Sequence, residues 1–267
     1  MTTPSISRRL SALVFMLVAL LGPMSPEDSA AQTILNVERL QPGDVTGWHW
    51  GLQGELSLSR GNSDYVDALA GVATGHRWSD HWLRLFLGLD YRSETGAAVQ
   101  NDRYVHVRYN RWLAPRWQTF HFIQIQASRR NLLQRRTLFG SGLRHRLVDG
   151  RTTFDLGTGV MHERENLDQG RIVDGHSARA RVWRMANLIV GTQRLSESLR
   201  LVGVSYIQPA FSDFGDLRTL TDLSLQIALT TQVDLTIHGE WRHDSRPPSG
   251  VDRDDFLLST GFAFTLR

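Results

Sequence analysis

The chain contains no cysteine, and it contains no lysine, so all 30 of its basic residues are arginine. Without cysteine the protein can form no disulfide and can carry no lipid on an N-terminal cysteine. The formal net charge is only +3, and the arginines are spread along the chain beside aspartate and glutamate. The sequence therefore lacks the concentrated basic patch that a nucleic-acid partner requires, and we expect no such partner.

The sequence also lacks an apolar run long enough to cross a membrane as a helix. The run from Leu10 to Leu21 has about 12 residues, whereas a spanning helix needs roughly 20. It follows Arg8 and Arg9 and precedes the small residues 29–31, which is the pattern of a cleavable secretory signal peptide. We therefore expect residues 1–31 to be a signal peptide that is removed on export.

No segment after the signal peptide shows the 3.6-residue period of a helix. Apolar and polar side chains instead alternate with a period of two, which is typical of strands. The clearest stretch covers residues 102–127, where Val105 and Val107 share one face and His106 and Arg108 share the other. A proline in the middle of this stretch predicts a tight turn, and the stretch therefore indicates an antiparallel hairpin.

Turn residues divide residues 47–267 into about twelve alternating stretches. These stretches run to roughly 12–15 residues, whereas soluble strands have about 5–6 and tilted strands crossing a bilayer need about 9–11. We therefore predict an all-β protein, a transmembrane antiparallel up-and-down β-barrel, preceded by a periplasmic lead-in at residues 32–46. The barrel would lie in the bacterial outer membrane, in contact with its lipid and with lipopolysaccharide, and would meet the barrel-insertion machinery during biogenesis.

The predicted connections fall into two length classes that alternate along the chain. Short connections, such as 79–80 and 149–150, would face the periplasm together with both chain ends. The connections predicted at 166–176, 210–215 and 245–254 are longer and would face the outside. This asymmetry is typical of outer-membrane barrels.

The polar face of the predicted strands carries many ionised groups, which suits a hydrated lumen. In the eighth strand the pattern predicts Ala180, Val182 and Leu188 toward lipid and Arg179 toward the lumen. The side chains predicted to line the lumen are Arg84, Asp90, Arg92, His106, Arg108, Asn110, Gln124, Gln126, Arg144, Asp155, Glu163, Arg179, Arg218, Asp222, His238, Glu240 and Arg242.

This mixture of charges leaves two functional hypotheses open. The first is a narrow pore for ions or small solutes. The second is a non-conducting structural or stress-response barrel, in which the same side chains form ion pairs that fill the lumen, since side chains fill smaller barrels.

A third and weaker hypothesis is an outer-membrane lipid hydrolase. Ser141 and His121 share the lipid-facing parity on neighbouring strands, and we expect them near diagonal positions, but no third group that would orient the histidine is evident. The histidines are scattered, and the sequence has no phosphate-cradling glycine loop, nucleophile elbow or dinucleotide motif. We therefore predict no catalytic residue, no metal and no cofactor.

Several short motifs carry a family resemblance through their order and spacing. They include Gly61-Asn62, RYNRW at 108–112, GSGLR at 140–144, Tyr206-x-Gln208-Pro209 and Pro247-Pro248. Together they resemble the YdiY-like family of salt-induced outer-membrane proteins, a family of unknown function. The resemblance spans nearly all of the chain after the signal peptide. It implies an outer-membrane barrel and supplies no catalytic residue, cofactor or substrate.

Overall fold

The protein is described here by a computed structural model, which covers residues 46–59, 65–94, 97–129, 131–171, 177–247 and 251–266. The predicted signal peptide, nearly all of the predicted lead-in and the predicted Gly61-Asn62 turn lie outside the described residues. Within those residues, no helix has the length and apolar character needed to cross a membrane.

Thirteen strands account for most of the described chain. They are β1 (Gly47–Ser59), β2 (Tyr65–Trp78), β3 (His81–Glu94), β4 (Ala97–Ala114), β5 (Trp117–Ser128), β6 (Leu133–Val148), β7 (Thr152–Leu167), β8 (Arg179–Met185), β9 (Asn187–Arg194), β10 (Leu199–Ala210), β11 (Asp213–Ala228), β12 (Val233–Asp244) and β13 (Asp254–Leu266).

These strands form one closed antiparallel barrel with twelve wall strands. Each wall strand pairs with its neighbours in the chain, and β1 pairs with β13, with Trp50 opposite Leu266, to close the ring. Strands β8 and β9 are two halves of one wall strand, because only Ala186 separates them and its N–H still donates to the Gly159 carbonyl at 2.9 Å. The predicted all-β barrel of about twelve strands is therefore confirmed.

The period-two alternation of the sequence becomes the difference between the two faces of the wall. On β5, the outward-facing Ile123 and Ile125 are 57% and 49% exposed, whereas Gln124 between them is 3% exposed. The β1–β13 pairing runs over five residue pairs, from Trp50–Leu266 to Gly54–Phe262, and joins the first and last strands of the wall. A chain in hydrocarbon requires such closure, because lipid cannot accept or donate backbone hydrogen bonds. The polar side chains are consequently gathered inside the barrel.

The β2–β3 connection is the predicted two-residue turn, Ser79-Asp80. The Asp80 carboxylate accepts a hydrogen bond from Arg111 Nε at 3.2 Å. A hydrogen bond to its own backbone N–H, together with the bond from Arg111, holds the pKa of Asp80 below its usual range. Ser79 has a φ of 47°, in the left-handed region that glycine adopts without steric strain.

Replacing Ser79 by glycine is expected to stabilise the folded protein by about 0.5–1 kcal/mol, because the left-handed strain of an L residue is removed. The measurement is the urea midpoint for unfolding from phospholipid vesicles. Ser212→Gly is the matched control, since Ser212 lies in another two-residue turn without a positive φ. If both glycine variants lowered the midpoint equally, Ser79 would not be strained.

One predicted loop was wrong. Residues 210–215 were expected to form a long connection, but β10 and β11 are joined by the two-residue turn Phe211-Ser212. The register shifts between Pro209 and Ala210, so the polar residues of the predicted loop lie in an irregular start of β11. The Asp213 carboxylate accepts a hydrogen bond from the Gly215 N–H at 2.8 Å and stabilises this irregularity.

Candidate functional site: the barrel lumen

The predicted lumen residues other than Arg179 share the inward-facing parity of their strands. The buried members are Arg84, His106, Arg108, Asn110, Gln124, Gln126, Arg144, Asp155, Glu163, Arg218, Asp222, His238 and Glu240. The partly exposed members are Asp90, Arg92 and Arg242.

The prediction for Arg179 was wrong, because the faces of β8 are the reverse of those expected. Arg179 is exposed on the outer wall, whereas Arg184 is buried inside. Two contacts favour this register: Trp183 reaches the lipid-facing surface, and Arg184 Nε meets the Glu163 carboxylate at 2.8 Å. The same register turns Ala180, Val182 and Leu188 inward, contrary to the prediction that they face lipid.

An apolar cluster compensates for the inward aliphatic side chains of this wall strand. Leu188 and Val190 pack against Val202 and Val204 of β10 inside the barrel. Burying them there removes apolar surface from water as effectively as facing lipid would. The sequence signal for the correct register was Trp183, since tryptophan favours the membrane interface. If Trp183 faces lipid, alternation requires Arg184 and Val182 to face the lumen.

A network of buried charges occupies the half of the lumen that lies away from the chain ends. Glu163 lies at its centre, with Arg136 Nε at 2.6 Å from Oε1 and Arg184 Nε at 2.8 Å from Oε2. Arg218 Nη1 also donates to Oε1 of Glu163. Three guanidinium groups from β6, β8 and β11 therefore converge on one carboxylate from β7, and we call these four residues the Glu163 cluster.

Further carboxylates balance the charge of this cluster. Arg218 also contacts Glu165 and Asp244, each at 3.2 Å, and Arg184 Nη2 contacts Asp216 at 2.8 Å. Ionised groups buried in this way are stable only when paired, so the network is a single interlocked unit.

Separate polar contacts occupy the rest of the lumen. Arg144 Nη2 donates to Asp155 Oδ2 at 2.5 Å near the end that carries the chain termini. On β3–β5, Arg84 donates to Asn110 at 2.7 Å, and Asn110 donates to Gln118 at 3.0 Å. These bonds join neighbouring strands across the inner face.

Aromatic side chains fill the middle of the lumen by lying on glycines. A Cβ built on Gly140 would meet Phe122 Cζ at 2.5 Å, and a Cβ on Gly142 would collide with the ring of Phe120. Phe120 packs with Met161 in a buried cluster. The rings therefore take the space that larger side chains would occupy on β6.

A small cavity remains among these side chains. Its volume is about 40 Å³, and its lining includes His106, Arg108, Gln124, Tyr206 and Gln208. At roughly 10–15 Å³ for each water molecule, a space of this size holds about three. Among the described residues, buried charges, aromatic rings and hydrogen bonds between strands thus occupy much of the lumen.

Asp222, His238 and Glu240 form a second buried group in the lumen, with ligand atoms that all lie within 4.8 Å of one another. Such donors could hold a divalent cation. His238 Nε2 is hydrogen-bonded to Asp222, however, and Arg242 Nη2 pairs with Glu240 at 2.5 Å. The sequence identified these residues as inward-facing, but it did not reveal that Asp222 lies directly opposite Glu240.

The structure brings Ser141 and His121 closer together than expected. They are directly opposite in the β5–β6 register, and Ser141 Oγ lies 2.9 Å from His121 Nδ1 on the exposed outer wall. The His121 ring stacks on Tyr109, with centroids 5.8 Å apart. Among the described residues, no carboxylate is hydrogen-bonded to His121, so the pair lacks the third group that orients a catalytic histidine.

A closed twelve-stranded barrel with an apolar outer wall and a polar lumen defines the class of outer-membrane β-barrels. The fold is similar to the COG4313 outer membrane channel from Pseudomonas putida F1, with a TM-score of 0.52 and 11% identity over 85% of this chain and 100% of that chain. At this identity the likeness concerns the fold alone. Residues 56–266 match the family described as "Protein of unknown function, DUF481", and the chain belongs to this family.

Two further solved structures were compared with the barrel. The NanC porin has a TM-score of 0.47 and 13% identity, over 81% of this chain and 97% of that chain. The translocator domain of the autotransporter NalP from Neisseria meningitidis has a TM-score of 0.47 and 10% identity, over 84% of this chain and 90% of that chain. No curated protein matches the sequence.

Proposed function

We propose that the protein is a structural barrel of the bacterial outer membrane, exported through a signal peptide at residues 1–31, with a lumen that does not conduct at rest. The observation that carries this proposal is the burial of inward-facing side chains. Arg136, Met161 and Leu220, on three different strands, are each 0% exposed. Side chains that line an open aqueous pore are accessible to water, and these are not.

The energetics of the Glu163 cluster favour the closed state. Opening the lumen at this level requires the Glu163 carboxylate to separate from its guanidinium partners. Leaving one member of a buried ion pair without a partner costs about 3–5 kcal/mol, so the carboxylate can leave its guanidinium partners only when water or another charge replaces them.

The proposal is tested by ion efflux from liposomes that contain the purified protein. Potassium release should equal that of protein-free liposomes, while a known porin reconstituted at the same density should empty them. Protease protection would verify that the protein is inserted. Release at the rate of the porin control would contradict the proposal.

The second candidate function is a narrow channel for ions or small solutes that opens when the Glu163 cluster rearranges. It is favoured by the chemistry of the lumen, since charged and amide side chains continue from Arg144 at one end to Glu165 at the other. A barrel that only seals could be filled with apolar side chains at lower desolvation cost. If this second function is correct, liposomes that contain the protein should retain potassium without a membrane potential and release it when a potential is applied.

We further propose that the Ser141–His121 pair is not catalytic. Wild-type protein and Ser141→Ala are both expected to hydrolyse phospholipid no faster than empty micelles, because among the described residues no carboxylate orients His121. The measurement is fatty-acid release in mixed micelles, with a known outer-membrane phospholipase as the positive control. Hydrolysis by the wild type that disappears in Ser141→Ala would show that the pair is a catalytic site.

A further inference from the structure

The corrected register of β8 places a group of arginines on the outer wall. Arg164 of β7 lies directly opposite Arg181 of β8. Arg135 of β6 and Arg179 of β8 lie on the two sides of Asn166, two residue pairs farther along. All four arginines are exposed, and we call them the outer arginine patch.

The patch carries uncompensated positive charge. Within the part of the chain that the structure describes, none of the four guanidinium groups makes a salt bridge. Arg164 and Arg181 face each other across a strand pair, and like charges in this position destabilise a sheet. This arrangement is favourable when an anion bridges the two guanidinium groups, because each fork can donate two hydrogen bonds to phosphate oxygens.

A row of aromatic rings gives the level of the patch in the membrane. Phe139, His162 and Trp183 lie opposite one another on β6, β7 and β8, with ring centroids 5.1 Å and 4.8 Å apart along the row. Tryptophan is enriched at the boundary between hydrocarbon and headgroups, so Trp183 places this row there. Arg164 and Arg181 lie two residues beyond His162 and Trp183, which is roughly 6–7 Å along the strand and at headgroup level.

A polar pocket adjoins the patch. Its volume is about 210 Å³, and its lining includes Gln134, Asn166, Asp168 and Arg179. The Asp168 carboxylate accepts a hydrogen bond from the Gly170 N–H at 3.2 Å. The pocket is large enough for a phosphate group and part of a sugar, with Arg179 and three amide side chains, those of Gln134, Asn166 and Gln169, available as hydrogen-bonding partners.

We propose that the outer arginine patch and its adjoining pocket bind the phosphorylated sugar headgroup of lipopolysaccharide. This inference rests on the proposed function only for the location of the barrel, with the chain ends at the periplasm and the patch at the outer leaflet. The site is confined to one side of the barrel, since the exposed charges near the same end of β11–β13 have both signs: Asp213 pairs with Arg246, and Asp252 and Asp254 flank Arg253. The occupant is therefore a single lipid seated on β6–β8 and not a uniform ring of lipids.

The test measures binding of bisphosphorylated lipid A to the purified, detergent-solubilised protein by native mass spectrometry. Arg164→Gln/Arg181→Gln should bind at least about tenfold more weakly, because charge-assisted hydrogen bonds to phosphate are lost. The matched control is Arg116→Gln/Arg194→Gln, which removes two exposed arginines at the opposite end of the barrel and should bind as the wild type does. Arg164→Lys/Arg181→Lys keeps the charge but loses the bidentate hydrogen bonds, so its binding should be intermediate between that of the wild type and that of the Gln double variant.

Two further arms identify the ligand chemistry. Dephosphorylated lipid A should bind at least about tenfold more weakly than the bisphosphorylated form. Excess inorganic phosphate should not displace the lipid, since it lacks the sugar and acyl contacts. Equal binding by the Gln double variant, equal binding of dephosphorylated lipid A, or displacement by inorganic phosphate would each overturn the proposal.

Heat-modifiable migration on gels would show that each variant is folded before its binding is measured. Liposomes that contain the Gln double variant should retain potassium as wild-type liposomes do, even though the variant no longer binds lipid A, since the patch is outside the lumen. The lipid site and the closed lumen can therefore fail independently.

Discussion

Glu163→Ala is expected to destabilise the folded barrel by about 3–5 kcal/mol, because it leaves Arg136, Arg184 and Arg218 buried without their shared carboxylate. Glu163→Gln keeps the volume and one acceptor but removes the charge, so its effect should be smaller and still above about 1 kcal/mol. The measurement is urea-induced unfolding from phospholipid vesicles.

Glu197→Ala is the control for this prediction, because Glu197 is exposed in the β9–β10 turn. Its effect should be within about 0.5 kcal/mol of zero. If Glu163→Ala and Glu163→Gln were as stable as Glu197→Ala, the cluster would be hydrated and the lumen open at its level. If Glu163→Ala failed to fold, the graded loss in Glu163→Gln would still distinguish a buried cluster from a hydrated one.

Gly159→Ala is expected to destabilise the barrel by about 1–3 kcal/mol or more, because the added methyl group meets backbone that cannot move without separating β6 from β7. A Cβ at this position would lie 2.7 Å from Gly142 Cα and closer still to the Ser141 carbonyl oxygen. The loss should appear as a lower urea midpoint and a faster unfolding rate.

Gly54→Ala is the matched control for the glycine prediction. Gly54 lies inside β1, and a Cβ there would have no neighbour within 4 Å. Alanine at Gly54 should be neutral or stabilising by up to about 1 kcal/mol, since it only restricts the unfolded chain. Equal midpoints for the two alanine variants would show that β6 and β7 do not approach as closely as the structure indicates.

The sequence predicted the wall strands well where one face is apolar and the other polar. On β4 and β5, Val105 and Ile123 could face only lipid while Arg108 and Gln124 required the lumen, so parity alone determined the faces. The same reasoning failed on β8 and β9. There Val182 and Leu188 are apolar but inward-facing, and the decisive contact is between Arg184 and a carboxylate on another strand.

The residues that line the lumen were predictable, but the state of the lumen was not. Parity indicates that Glu163 and Arg218 both face inward, yet they lie 55 residues apart in the chain, on β7 and β11. Whether they meet depends on how far the barrel walls are separated. The glycines that admit Phe120 and Phe122 influence that packing, and no short-range pattern in the sequence reports it.

The outer arginine patch illustrates the same limit on the outside of the barrel. Arg164 has no distinctive signal in the sequence, and Arg179 and Arg181 both have the parity that was predicted to face the lumen. Their association depends on the pairing register of β7 with β8, which reverses every side chain when it slips by one residue. Trp183 was the residue whose membrane preference could have fixed that register in advance.

The most direct test of the account is single-channel recording of the wild-type protein in planar lipid bilayers. Insertion can be verified by heat-modifiable migration of protein recovered from the same preparation. A closed lumen predicts current indistinguishable from the protein-free bilayer at low applied voltage, under conditions in which a known porin gives stepwise currents. Reproducible unitary steps from the wild type at the same voltage would contradict the closed lumen.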